Sequence, residues 1–555
     1  MRTLLLGAVT TLGLLATTDA SACGGFFCSQ VDVDQIGEQI VFGVDPGTGI
    51  VETHVQVAYQ GSAEEFAWVV PVPEVPELFV SSDMLFQQLR ARTRPQFQVE
   101  TVYNGDCGWQ WDSGWGDDFD ADNGAGGGPF PASEEDGVEV IAERNVGPYR
   151  TVVLRASTSE ALLTWLQENN YDLPDSLDPV LAPYVASESY FVALGLLNDR
   201  DVGDLKPLGM RYAATQPMIP IQLTSIAATP DMRLEVYVLG EERAVPSNYL
   251  HVQVNEAAID WLSWGGNYED VITRAADEAG GQAFATDFSG STTPFQGMLY
   301  TEGRFNTSAF DGVTDPVEAM NLVMGGGFPA DGTTLGILRR FLPVPEGLDE
   351  QSFYNCVECY AEQLEGVTID GTAMGAAFEE EVVTPLRDAE SLFSRFSTLS
   401  RMTSSISPIE MTVDPMFVFN PDMGDVSNVH SATVEYDCRD GEDVTDAERR
   451  VVLADGRVIL LPPMRFFNDG DVTTAEYIED ATVYAASIVE RTSESGLPEV
   501  LVDRSADIDG VIRENNDNVD DLFGQSACGG CSHTGAPVGG LFGLLALLGL
   551  SRRKR

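Results

Sequence analysis

Cysteine leads the residues whose type and spacing could support chemistry. Six of the eight cysteines lie in the body of the chain: Cys23, Cys28, Cys107, Cys356, Cys359 and Cys438. Cys356 and Cys359 have C-x-x-C spacing, in which one thiolate attacks a disulfide and its neighbour resolves the mixed intermediate. No strand-to-helix thioredoxin pattern surrounds them, so a structural bridge or pair of half-bridges is favoured over a catalytic dithiol. Asp118, Asp120 and Asp122 are spaced as in a calcium loop, where alternate positions turn carboxylates toward a hard cation. Asn123 stands where that loop wants glycine and Pro129 where it wants a closing glutamate, so a solvated acidic loop is favoured.

Other chemistries lack a signature. Of the histidines His54, His251, His430 and His533, His54 falls in an alternating strand pattern, and His251 and His430 have no ligand-spaced partner. No H-E-x-x-H motif occurs, which argues against a zinc hydrolase. The only lysines, Lys206 and Lys554, do not follow a glycine-rich loop, so P-loop nucleotide hydrolysis is excluded. No G-x-S-x-G elbow announces a serine nucleophile, although a triad assembled from distant residues needs none. Paired glycosidase carboxylates leave no local mark either. Trp68 reads as core, whereas Trp109, Trp111 and Trp115 sit in a glycine-rich stretch where exposed rings could stack on sugars. No catalytic or cofactor-binding residue is assigned, and calcium is the one ion worth testing.

Composition bounds the rest. The 555 residues are 43% hydrophobic, enough for a packed core in two or three domains. Against 87 acidic residues stand 31 basic ones, for a net charge of −56. Such a field repels phosphate backbones, so nucleic acid is excluded as a partner, and it suits a well-hydrated exterior.

Both ends point to export. Residues 1–22 carry a basic start, a short apolar run and small residues Ala20 and Ala22 at a cleavage site, the layout of a secretory signal peptide. At the other end, residues 506–531 form an acidic tether with Cys528 and Cys531. Residues 532–555 then form a single hydrophobic helix ending in Arg552, Arg553, Lys554 and Arg555. The apolar run Pro537 to Leu550 is shorter than the roughly 20 residues of a full membrane span. The basic end would stay cytoplasmic.

Between these ends the elements alternate. Gln39–Val44 and Ile50–Tyr59 predict a half-buried hairpin, with His54, Gln56 and Ala58 opposite Val55, Val57 and Tyr59. Glu65 to Pro73 predicts a third strand, and Ser82–Arg92 an amphipathic helix carrying Met84, Leu85 and Leu89 on one face. Residues 104–136 are an acidic, glycine-rich loop. A capping box at Ser157 opens a helix to about Gln167. Met218–Ala227 and Leu234–Leu239 read as strands, and Tyr268–Ala279 as a helix stopping at Gly280 and Gly281. Glu379–Leu399 reads as a helix broken at Pro385, and Val451–Leu461 as a hairpin around Asp455 and Gly456. The fold class is α+β, with a β-rich N-terminal portion, interspersed helices and a mixed C-terminal portion. The expected domains are 23–345 and 346–505.

Several stretches together resemble a known family. Ala22-Cys-Gly-Gly-Phe-Phe-Cys28, Glu64-Glu-Phe-Ala-Trp-Val-Val-Pro-Val-Pro73, Pro217-Met-Ile-Pro-Ile221, Ala227-Ala-Thr-Pro-Asp231 and Ala244-Val-Pro-Ser-Asn-Tyr249 are similar to blocks of the bacterial family called domain of unknown function 2330. The similarity covers about Cys23 to Pro345 and implies no reaction. The tail resembles the MYXO-CTERM sorting signal, which implies processing at Cys528 or Cys531 by a membrane protease of the myxosortase type. The expectation is an exported protein of the cell envelope or outer surface, associated with the membrane through its C-terminal segment. It would act in binding, adhesion or structure on a ligand the sequence does not identify. The alternative is a surface-tethered enzyme, a carboxylate hydrolase or a thiol oxidoreductase using Cys356 and Cys359.

Overall fold

The computed structural model describes residues 34–60, 67–105, 138–169, 171, 177–197, 205–439, 444, 446–462 and 484–527. It is α+β, with strands dominating the N-terminal part. The centre is a ten-stranded mixed sheet. Its spatial order is Glu499–Asp503, Ala486–Arg491, Leu250–Val254, Ala283–Ser291, Thr398–Ile406, Ala228–Gly240, Asp34–Asp45, Ile50–Gln60, Leu208–Ala213 and Glu77–Val80. Asp34–Asp45 runs parallel to Ala228–Gly240, and Leu250–Val254 parallel to Ala283–Ser291; the other pairings are antiparallel.

Both faces of this sheet are covered except at the edge strand Glu499–Asp503, which is exposed along its length. On one, Ile40, Phe42, Val44, Val51 and Val55 pack with Val70, Val72, Val153 and Val192 of a second, four-stranded sheet. That sheet has the order Ala67–Val72, Tyr190–Leu196, Tyr149–Ala156, Val138–Val146. On the other face, Val41, Tyr237, Leu239 and Leu399 meet a helical layer that includes Asp83–Thr93, Gly332–Phe341 and Thr384–Arg395. A third sheet, Val458–Leu461, Glu448–Leu453, Val429–Asp437 and Gln96–Asn104, packs with the helix Tyr268–Glu278.

Covering both faces corrects several expectations. The expected hairpin forms between Asp34–Asp45 and Ile50–Gln60, but Glu52, Thr53 and His54 are all buried. No boundary divides the sheet at residue 345, because Thr398–Ile406 lies between Ala283–Ser291 and Ala228–Gly240 and hydrogen-bonds to both. Met218–Ala227 is not a strand: Met218 makes a single bridge to Met416, and Ile221–Thr224 is a helical turn. Pro217 and Pro220 lack the N–H that a ladder needs. Pro385 does not break its helix; it sits in the first turn of Thr384–Arg395, which continues from Gly371–Phe378 through a π-helical turn at Glu379–Val383. The first helical residue after the Ser157 region is Ser159, capped by Thr158. The supposed tether is a helix, Ser505–Ala527. Asn515 and Asn516 fix it to the strand Val458–Leu461 by hydrogen bonds to Leu460 and Val458.

The middle of the sheet holds a buried charge cluster. The Arg401 side chain, 1% exposed, lies 3.2 Å from Asp287 and 3.5 Å from Glu235. Asp287 is the extra residue of a bulge between Thr286 and Phe288, which presents it to the hydroxyls of Tyr268 and Thr403. Glu235 accepts from Tyr237 and Gln39 and lies 2.9 Å from Arg233. Breaking a buried pair on one side strands the other charge. Asp287→Ala should therefore cost about 3–5 kcal/mol in urea unfolding, and Asp287→Ala with Arg401→Met should cost less than the two single changes combined. Additive losses would show that the pair is not coupled.

Candidate functional site

The strand Ile50–Gln60 serves two sites, one on each face of the sheet. On the face toward the second sheet, a cavity of about 310 Å³ is lined by Glu38, Ile40, Phe42, Thr53, Val55 and Trp68, among others. The Trp68–Pro73 segment forms one wall, and Gln216 to Pro220 forms another. These are two of the proline-flanked stretches that carry the family resemblance. Pro73 follows the last residue of the strand Ala67–Val72 and Pro220 precedes the turn Ile221–Thr224, whereas Pro71 stays in the ladder opposite Phe191, on an edge strand where its missing N–H is tolerated. Exposed Pro73 and Thr215 mark its rim.

Among the described residues, Glu38 is the one acidic residue lining this apolar space. It follows from the strand's alternation: Glu38, Ile40 and Phe42 share a face, and the first of them is a carboxylic acid. Its hydrogen-bond partner is Gln35, whose Nε2 donates to Oε2 at 3.2 Å. Among the described residues Glu38 makes no ion pair. Burial raises its carboxyl to about 7, against a smaller opposing effect of the Gln35 bond. Near neutrality, therefore, the carboxyl is divided between its ionised form and a protonated form that offers an O–H donor, and below that range the donor dominates. Close by, Thr53 Oγ1 and the Tyr212 hydroxyl share a hydrogen bond of 3.0 Å. The ensemble suits a mainly apolar molecule with one accepting group.

A carboxyl whose folded value is raised favours the fold below its unfolded value, and that stability is lost as pH rises through the folded value. Here the window runs from about 4.5 to about 7. Glu38→Gln keeps the shape and removes the titration. The stability of the native protein relative to Glu38→Gln should fall by roughly 2–3 kcal/mol between pH 5 and pH 8 in paired urea titrations. A constant difference would mean that Glu38 titrates normally.

At the edge of the central sheet, where the second sheet and the helical layer meet, lies a cleft of about 610 Å³. Phe79 and Val80 line it, with Arg144, Lys206, Arg340 and Asp388. Beside it, His54 Nδ1 lies 2.6 Å from Ser81 Oγ, and His54 Nε2 lies 3.1 Å from Glu52 Oε1. Glu52 also contacts Arg211 and Arg395. Burial pushes the Glu52 carboxyl up, but His54 and the two arginines outweigh it and hold the group well below the usual range. The Phe79 ring stands edge-on to His54 at 5.4 Å, with Arg211 stacked over it at 4.3 Å. Gly209 makes that seat, because a Cβ there would come within 2.1 Å of the ring.

Each of the other two described histidines also pairs with a glutamate: His251 with Glu490 at 2.8 Å and His430 with Glu256 at 2.7 Å. Cys356 and Cys359 form a disulfide across a short 3₁₀ turn, and Cys438 is also disulfide-bonded. Cys23, Cys28, Cys107, Cys528 and Cys531 lie outside the described residues, as do Ala20, Ala22 and the basic end Arg552, Arg553, Lys554 and Arg555. So do the calcium candidates Asp118, Asp120 and Asp122. Among the described residues no group of three or more His, Cys, Asp or Glu side chains could hold a metal ion. No described helix is long and apolar enough to cross a membrane. Sequence reasoning missed Glu38, Glu52 and Ser81; a carboxyl at an inward strand position was the available signal for the first.

No curated protein and no solved structure matches the chain. A family model described as an uncharacterized protein conserved in bacteria matches residues 17–296, which includes both cavity walls and Ser81. By that match the chain belongs to the DUF2330 family.

Proposed function

We propose that this is an exported protein of the bacterial cell envelope or outer surface that captures a small, mainly apolar ligand in the Glu38 cavity. The observation that carries the binding reading is the cavity: about 310 Å³ between two sheets, apolar but for Glu38 and a few polar groups. That volume is at the lower end of the roughly 300–1,000 Å³ typical of small-molecule sites. An apolar lining with one carboxyl that hydrogen-bonds to Gln35 suits a small, mainly apolar ligand with one polar group.

The export reading rests on sequence. The signal-peptide layout at 1–22 and the C-terminal apolar run with its basic end support delivery to the surface, with processing at Cys528 or Cys531 by a myxosortase-type protease. The Cys356–Cys359 disulfide and the bonded Cys438 suit an oxidising compartment. The net charge of −56 suits a hydrated exterior exposed to the medium.

Trp68 lines the cavity and reports on it. The neutral probe N-phenyl-1-naphthylamine should bind saturably with quenching of tryptophan fluorescence. Val70→Phe, which fills the space, should weaken binding at least about tenfold while leaving the circular dichroism spectrum unchanged, overpacking costing roughly 1–3 kcal/mol of stability. Equal probe binding by the filled variant would count against the cavity as the binding site.

A further inference from the structure

We propose that Ser81, His54 and Glu52 form an acyl-transfer relay beside the 610 Å³ cleft, giving the protein a serine-type carboxylic ester hydrolase activity. This goes beyond the binding reading and lies on the opposite face of the sheet, so neither depends on the other. Three independent features support it. The distances of 2.6 Å from Ser81 to His54 and 3.1 Å from His54 to Glu52 match a nucleophile, its base and the acid that orients the base. Ser81 also stands between the strand Glu77–Val80 and the helix Asp83–Thr93, immediately before the N-cap Ser82. A strand-to-helix turn projects a nucleophile from a sheet edge, and the positive end of the following helix favours developing negative charge. Finally, Phe79 and Val80, which precede Ser81, line the cleft.

The chemistry balances without a cofactor. Ser81 Oγ forms a bond to the acyl carbon while His54 Nδ1 takes the hydroxyl proton and the carbonyl electron pair moves to oxygen. Collapse breaks the ester C–O bond, and the departing alcohol takes the proton from His54. Water then attacks the acyl-serine, losing a proton to His54, and Ser81 leaves with that proton. Ester and water become acid and alcohol. Ser81 and His54 are the catalytic residues. Glu52 acts through His54 and is the positioning residue; its charge is already secured by Arg211 and Arg395.

Ser81 is 3% exposed and His54 1%, so the relay is closed in this structure. Phe79, edge-on to His54 and lining the cleft, is the wall between them. Arg144, Lys206 and Arg340, with Glu380, Glu381 and Asp388, give the cleft both signs of charge. It suits an ester with a polar, charged body rather than a plain lipid.

The test is covalent labelling of the full exported protein with a fluorophosphonate, read by intact mass and peptide mapping. One adduct is expected, on Ser81, and none in Ser81→Ala. His54→Gln should label about 100-fold more slowly or less, and Phe79→Ala at least about tenfold faster, with circular dichroism showing each variant folded. Glu52→Gln should move the midpoint of the labelling–pH profile to lower pH, which a purely structural role would not do. Absence of a Ser81 adduct in both the native protein and folded Phe79→Ala, or an adduct that survives in Ser81→Ala, would overturn the proposal.

Discussion

The covering of the central sheet on both faces is the constraint from which the rest follows. A sheet open to water on one side can carry charges there at little cost. In this one, Arg401, Glu235 and Asp287 face a helical layer rather than solvent. Each must then find its counter-charge within the protein, because an unpaired buried ion costs several kcal/mol. Arg401 is the hub of that arrangement. Two anions flank it from neighbouring strands, and the bulge at Asp287 turns a carboxylate into the register where the guanidinium lies. Replacing such clusters by apolar residues is often neutral or stabilising, so bulk stability does not explain them. They join strands that come from distant parts of the chain.

Against that rule Glu38 is an exception. Glu52, Glu235 and Glu490 are each held by arginine or histidine, and each is shifted down after burial is overcome. Glu38 has only Gln35, and burial wins. The same strand pair thus holds one carboxyl ionised on one face and another near neutrality on the other. That division separates the two sites. The Glu38 side is an apolar space with a hydrogen-bond donor, and the Glu52 side is a fixed anion that orients an imidazole beside a charged cleft.

Much of the fold was legible because local patterns decided it. The hairpin at Gly49, the Asp455–Gly456 turn and the helix ending at Gly280 all rest on backbone conformations that glycine allows, and all are present. The failures share one cause. Alternation in Ile50–Tyr59 implied a wet face at His54 and Gln56, yet His54 is buried against Phe79 and Ser81, Gln56 donates to Asp83 at the start of the helix Asp83–Thr93, and Glu52 is closed off from much further along the chain. Arg395, which secures Glu52, is 343 residues away. Pairings at that separation leave no periodic trace. The acidic helix Ser505–Ala527 was hidden for a similar reason, since its attachment depends on Asn515 and Asn516 reaching another strand. The Ser81 constellation was invisible because its members need no motif: two come from one strand and the third from a strand-to-helix junction 27 residues on. What the sequence did mark were the proline-flanked stretches, and they form the cavity walls.

Burial raises the Glu38 carboxyl into the neutral range at its cavity, while the other buried glutamates are held ionised by their partners. Site-resolved carbon-13 NMR of the Glu38 side-chain carboxyl, assigned with Glu38→Gln, tests this most directly. The claim predicts a titration midpoint near 7, displaced when the neutral probe fills the cavity. A midpoint at the ordinary glutamate value of about 4.3, unmoved by the probe, would contradict it.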